Sequence, residues 1–189
     1  MNEAGKRIKI SITGDLGSGK SAVCRYLKEK YGLNIYSIGQ IQRSLAQKYN
    51  MDVLAFNKYM ESHPEIDEEI DTELARIGRR DEDMALDSRM AWHFVPDTFK
   101  VYMTVELDEA ARRIIRDRRG AVETYASPDA AKLSLIERKK SENLRYNAKY
   151  GVDCSDPKNY DLILDTTTLS VENTAEKIIA EAKKYGNAR

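Results

Sequence analysis

Alternation of apolar and polar positions marks out the chain almost from its start. "RIKISIT" (7–13) alternates and is rich in β-branched residues, which predicts a strand. "KSAVCRYLKEKYG" then places Val23, Tyr26 and Leu27 at helical spacing and stops at Gly32. "LNIYSI" reads as a short second strand. "GQIQRSLAQKY" and "DVLAFNKYM" read as helices, the second capped by Asp52. "SHPEIDEEIDTELARIG" has Ser62 and Glu65 at capping-box spacing, Pro64 in the first turn and Gly78 as a stop. "DMALDS" is short and apolar, as a buried parallel strand is, and "FKVYMTVEL" is a fourth strand. A basic helix, "DEAARRIIRDRRG", runs to Gly120. Ser127, Pro128 and Asp129 open a long helix to about Tyr150, closed by Gly151. "NYDLILDT" is a fifth strand and "SVENTAEKIIAEAKKYG" a last helix.

Strands alternating with helices predict an α/β fold with a parallel sheet and helices on both faces. The core strands fall near 7–13, 34–38, 83–88, 99–105 and 160–165. No repeat, low-complexity tract or linker divides the chain, so 1–189 is expected to be a single domain.

Lys+Arg and Asp+Glu both number 31, and this charge balance argues against a nucleic-acid binder. Cys24 and Cys154 lie far apart without histidine clusters, which argues against zinc and suits reduced thiols. No apolar run is long enough to span a membrane and the start lacks a signal-peptide core, so a cytoplasmic protein is expected.

Between the first strand and the first helix stands "GDLGSGKS". Gly14, Gly19, Lys20 and Ser21 match G-x-x-x-x-G-K-[ST], in the strand-to-helix setting that the motif requires. In such a loop, glycines let successive backbone N–H groups point at one anion, and the helix offers its positive end to the same point. Lys20 then reaches the β- and γ-phosphates and the Ser21 hydroxyl holds Mg2+. The loop Gly14, Asp15, Leu16, Gly17, Ser18, Gly19, Lys20, Ser21 and Ala22 is therefore the candidate binding site for MgATP.

A guanine-reading N-K-x-D is absent, since "NKYM" (57–60) lacks the aspartate. Arginines cluster instead at element ends: Arg43, Arg89, then Arg112, Arg113, Arg116, Arg118, Arg119, Arg138 and Arg145. Their planar forks suit phosphate. Arg138, Glu142 and Arg145 share one helix face at i, i+4 and i+7, a spacing equally that of a solvated, ion-paired helix. His63 and His93 are expected in structural roles. Tyr36, Phe56 and Tyr59 fit either a stacked base or a core.

"GDLGSGKS", "YSIGQIQRSLAQ", "PEIDEEID", "LDSRMAW" and "YGVDCSDPKNYDLILDT", in this order, resemble the cytidylate kinase family, particularly its compact cytidylate-kinase-like type, from about residue 7 to 180. The resemblance implies a P-loop NTPase three-layer sandwich with a five-stranded parallel sheet, a helical acceptor-binding insert at about 39–79 and an arginine-rich lid at about 117–150. It implies phosphoryl transfer from MgATP to a small nucleotide acceptor, CMP or dCMP foremost. Gly39 and Arg43 fall on the family's acceptor-phosphate segment. Asp87 falls near the magnesium and Arg89 on a second acceptor-phosphate ligand. Arg138 and Arg145 fall on the lid and, with Lys20, on the catalytic set; "DTTTLS" falls near the donor adenine. Gln40 and Met90 stand where the family has acids, Met90 in place of the cytosine-reading aspartate. A thioether is a poor acceptor for an exocyclic amine, so weak discrimination between cytosine and uracil is expected. Two readings stay open beside a nucleoside monophosphate kinase: a kinase for another small phosphorylated or hydroxylated metabolite, and a nucleotide-binding regulatory protein with weak catalysis.

Overall fold

The computed structural model describes residues 5–117 and 125–185. Five strands form one parallel sheet: β1 (Lys9–Gly14), β2 (Asn34–Ser37), β3 (Met84–Asp87), β4 (Phe99–Thr104) and β5 (Leu162–Asp165), in the order β2-β3-β1-β4-β5. β1 sits centrally, pairing Ile12 with Asp87 on one side and with Val101 on the other. It therefore carries the chain's glycine loop out of the middle of the sheet, at the carboxyl end where open α/β sheets bind ligands.

Both faces are covered. On one, α1 (Lys20–Tyr31) and α8 (Val171–Tyr185) pack Leu27, Ile178 and Ile179 onto Ile10, Ile12, Val101 and Met103. On the other, α4 (Pro64–Gly78) and the short α5 (Ala91–Phe94) bring Leu74, Ile77, Ala91 and Val95 against Met84 and Leu86. α2 (Ile38–Lys48) and α3 (Val53–Glu61) build a satellite cluster with Ala46, Phe56 and Met60. α6 (Leu107–Arg116) packs Ala110, Ala111 and Ile114 against Ala131 and Leu135 of α7 (Pro128–Tyr150). No helix among the described residues is long and apolar enough to cross a membrane.

Several local expectations hold. Asp52 and Ser127 cap α3 and α7 by accepting from the backbone N–H of Ala55 and Ala130. Gly32 and Gly151 close α1 and α7 in the left-handed conformation. The capping box at α4 does not form: His63 is the N-cap, while the Ser62 hydroxyl donates to Tyr59 O at the end of α3. The preceding helix took the serine because α3 ends at Glu61 and Ser62 alone separates it from the α4 cap. The stop expected at Gly120 falls outside the described residues, as do Arg118 and Arg119.

Candidate functional site

β1 ends at Gly14, whose φ is 144° and whose α-carbon lies so close to Met103 that a Cβ there would meet its carbonyl oxygen at 2.2 Å. Only glycine lets the loop leave the sheet here. Gly19 (φ 89°) is the α1 N-cap, and it has no side chain to satisfy the helix's first amides. With no acidic residue in the first turn either, the end of α1 keeps its positive dipole for an anion. Lys20 Nζ folds over the loop, donating to Asp15 O at 2.6 Å and Gly14 O at 3.0 Å.

A cleft opens over this loop. Leu16, Gly17, Gly19, Lys20 and Ser21 form its floor, Gly39 and Arg43 of α2 one wall, Asp87 and Arg89 the end of β3, and Arg138 of α7 the opposite wall. Residues distant in sequence thus meet at one point. Gly14, Asp15, Ser18 and Ala22 support the loop from behind without lining the cleft: Ser18 is buried and its carbonyl accepts from Thr166 Oγ1 at 2.9 Å. Arg113 of α6 ties the same loop to the segment after β5, donating to Gly17 O, Thr166 O and Thr167 O. Arg112 and Arg116, in contrast, are exposed in ion pairs on the surface of α6.

Five lining residues were not in the expected binding set: Ile38, Gln42, Ser88, Glu142 and Tyr146. Glu142 is the centre of the charge arrangement. Its Oε2 accepts from Arg89 Nε at 2.7 Å and its Oε1 from Arg138 Nε at 3.1 Å. Burial pushes its carboxyl up, but Arg89, Arg138 and Arg145 outweigh that and hold it down at about 2. It is therefore ionised and fixes two guanidinium planes beside the loop.

Arg145 departs from expectation. It is buried away from the cleft, with NH1 donating to Asn57 O at 3.2 Å, NH2 to Tyr146 OH at 3.2 Å, and Nε 3.1 Å from Asp67 Oδ2 of α4. Its charge is committed to fastening α7 to α3 and α4. A neighbouring pair does the same: the Tyr150 hydroxyl donates to Asp71, whose carboxyl burial pushes up to about 6.

The two positions that differ from the family's acids also lie elsewhere. Met90 is buried in a cluster with Trp92, Tyr146 and Cys154, its sulfur 3.4 Å from Cys154 Sγ, and Gln40 is exposed on α2. Neither lines the cleft. Of the polar residues Asp97, Asn57 and Gln42, Asp97 is exposed just before β4, at the opposite end of the sheet, and Asn57 is buried against Arg145. Gln42 alone of these faces the cleft. Tyr36, Phe56 and Tyr59 lie off the cleft: Tyr36 OH donates to Glu82, and Phe56 and Tyr59 belong to the α2–α3 cluster. His63 stacks on Tyr59, and exposed His93 packs by Phe94 and Tyr150. Cys24 and Cys154 are free and buried.

The site fits a magnesium-bound polyphosphate on its own geometry. Ser21 Oγ lies 3.4 Å and Ser37 Oγ 3.0 Å from the same Asp87 Oδ2. Among the described residues no cluster of three His, Cys, Asp or Glu forms a metal cage. One carboxylate and one hydroxyl are the sparse protein ligands that Mg2+ takes when phosphates and water fill the other positions.

A glycine loop on the central parallel strand, facing arginines across a cleft, defines a P-loop kinase. Comparison with known proteins refines this. The model of the cytidylate kinase-like family matches residues 9–168, and the chain belongs to that family. The cytidylate kinase of Sulfolobus acidocaldarius is 33% identical over 91% of this chain and 92% of its own. An S-adenosylmethionine-dependent nucleotide dehydratase of Lacinutrix mariniflava is 30% identical over 94% of this chain, which spans only 36% of that longer protein. The fold is shared with shikimate kinase from Bacteroides thetaiotaomicron, with a TM-score of 0.59 at 12% identity over 95% of this chain and 98% of that one. Family and fold together support nucleotide kinase activity.

Proposed function

We propose that the protein transfers the γ-phosphoryl group of MgATP to a pyrimidine nucleoside monophosphate, with CMP or dCMP the foremost acceptor. The observation that carries this reading is the convergence of the glycine loop with Arg43, Arg89 and Arg138 on one cleft. In this reading the loop amides and the α1 end hold the donor's phosphates. Lys20 exchanges its loop carbonyls for the β- and γ-phosphates. Ser21 and Asp87 hold Mg2+, which when bound screens the charge on the β- and γ-oxygens. Arg43 and Arg89 hold the acceptor phosphate, and Arg138 neutralises charge on the group in flight. Such transfer depends on positioning and electrostatics more than on covalent chemistry. The acceptor oxygen is already anionic, so no general base is needed, and neither histidine lines the cleft. Arg145 acts at a distance, by holding α7 in place.

Base selection falls to Gln42. Its amide offers an acceptor and a donor, and rotation exchanges them, so it accepts from a cytosine amine or donates to a uracil carbonyl. The test is ADP formation by the purified protein with MgATP and CMP, dCMP, UMP, AMP or GMP. CMP and UMP should react with kcat/KM values within about tenfold of each other, because one adaptable polar partner gives little discrimination. No ADP formation with any monophosphate would refute the reading. CMP preference a hundredfold or more over UMP would refute the role of Gln42.

A further inference from the structure

The glycine loop carries a charge that its motif does not explain. Asp15 follows Gly14 directly, so a carboxylate sits in the loop that cradles a polyphosphate. Its Oδ1 accepts from Lys139 Nζ of α7 at 2.6 Å and from Tyr102 OH of β4 at 3.1 Å. The backbone oxygen of the same residue accepts from Lys20 Nζ. Three carboxylates beside the loop differ in their partners. Glu142 is neutralised by Arg89 and Arg138. Asp87 stands beside the Ser21 and Ser37 hydroxyls, where a magnesium ion suits it. Asp15 has a neutral phenol and Lys139. Lys139 adjoins Arg138 in sequence, and a small cavity is lined by Lys139, Tyr102, Arg89 and Glu142. The pair therefore also connects the loop to the helix that carries the arginine wall.

Resting on the MgATP reading above, we propose that Lys139 is a positioning residue for the triphosphate: it neutralises Asp15 and so keeps the loop receptive to the γ-phosphate while tying it to α7. Lys139 is about half exposed, and exposed ion pairs add little to stability. The effect of the pair should therefore appear in ligand binding and not in folding. A bare carboxylate beside the loop repels the triphosphate, and removing that carboxylate cancels the repulsion.

The experiment compares Lys139→Met, Lys139→Arg, Asp15→Asn and the Lys139→Met/Asp15→Asn double variant in the full chain. Each is read by the Kd for MgATP from calorimetry, by the KM for ATP and for the nucleotide acceptor, and by Tm. Lys139→Met should raise the ATP Kd and KM about tenfold, equivalent to about 1.4 kcal/mol, with acceptor KM within twofold of the parent and a penalty that shrinks with added salt. Lys139→Arg should stay near the parent, and the double variant should recover ATP binding to within about threefold. An ATP Kd within twofold of the parent in Lys139→Met, or a double variant no better than that single one, overturns the proposal. Failure of the kinase reading would look different: no monophosphate-dependent ADP formation by the parent protein, with the ATP Kd comparison still deciding the role of Lys139.

Discussion

Replacing Glu142 with glutamine tests the charge arrangement most directly. The carboxylate sits between Arg89 Nε at 2.7 Å and Arg138 Nε at 3.1 Å, and its side chain is 5% exposed. Its carboxyl is held at about 2 against an ordinary 4.5. At about 1.4 kcal/mol per unit, that shift corresponds to roughly 3 kcal/mol of stability. Breaking a buried pair from one side costs a similar 3–5 kcal/mol, because the remaining charge stays buried. Glu142→Gln should therefore lose about 3 kcal/mol at pH 7. The folded-state value is depressed, so the stabilisation is complete above about pH 4.5 and is lost as the pH falls toward 2. Part of it is already lost at pH 3, so the gap between the two proteins should narrow by roughly half between pH 7 and pH 3. Asp71, raised to about 6, works the other way, destabilising the fold as pH rises from about 4 to 6. It is present in both proteins and cancels. Urea midpoints at pH 7, 5 and 3 measure the gap. A gap of equal size at pH 3 and pH 7 would show that packing, and not charge, is what Glu142 supplies.

Other substitutions divide the site by role. Lys20→Ala should cut kcat by about a hundredfold or more while costing only about 1 kcal/mol of stability for the lost loop hydrogen bonds; near-normal turnover would remove Lys20 from the transfer step. Arg43→Ala should raise the acceptor KM well above any change in the ATP KM, and a selective loss of ATP affinity would reverse that assignment. Met90→Asp should destabilise by more than about 3 kcal/mol without sharpening preference for CMP, because it buries an unpaired carboxylate. A stable Met90→Asp protein with raised CMP selectivity would show that the position faces the base after all.

What the sequence made legible was what local interactions decide. The phosphate loop is contiguous, and its flanking strand and helix were evident from their periodicity. Asp52, Ser127, Gly32 and Gly151 end helices through contacts within a few residues, so their chemistry can be read in place. Ser62 had the same local signal and was claimed by a different neighbour, because two helices meet there within a residue. The four-residue helix Ala91–Phe94 was missed because it is too short to show a period. The partners of Asp15 were not legible at all, since they come from β4 and α7.

The face shared by Arg138, Glu142 and Arg145 shows where the limit lies. Their spacing placed them together on one side of α7, and the structure keeps them there. A helix face, however, has length, and seven residues cover about 10 Å at 1.5 Å of rise each. Over that distance the opposing surface changes. Arg138 and Glu142 meet the end of β3 and the phosphate loop, where Arg89 completes the pair. Two turns further on, Arg145 meets Asn57 of α3 and Asp67 of α4, and its charge is used to hold those helices to α7. Periodicity fixes which side chains point the same way, but the partner opposite fixes what each one does. Those partners, Arg89 and Asp67, are 53 and 78 residues away in the chain and enter the site only through the fold. On the proposed reading, a loss at Arg145 should reach the cleft only indirectly, through α3 and α4, whereas a loss at Arg138, which lines the cleft, should act on the phosphates directly.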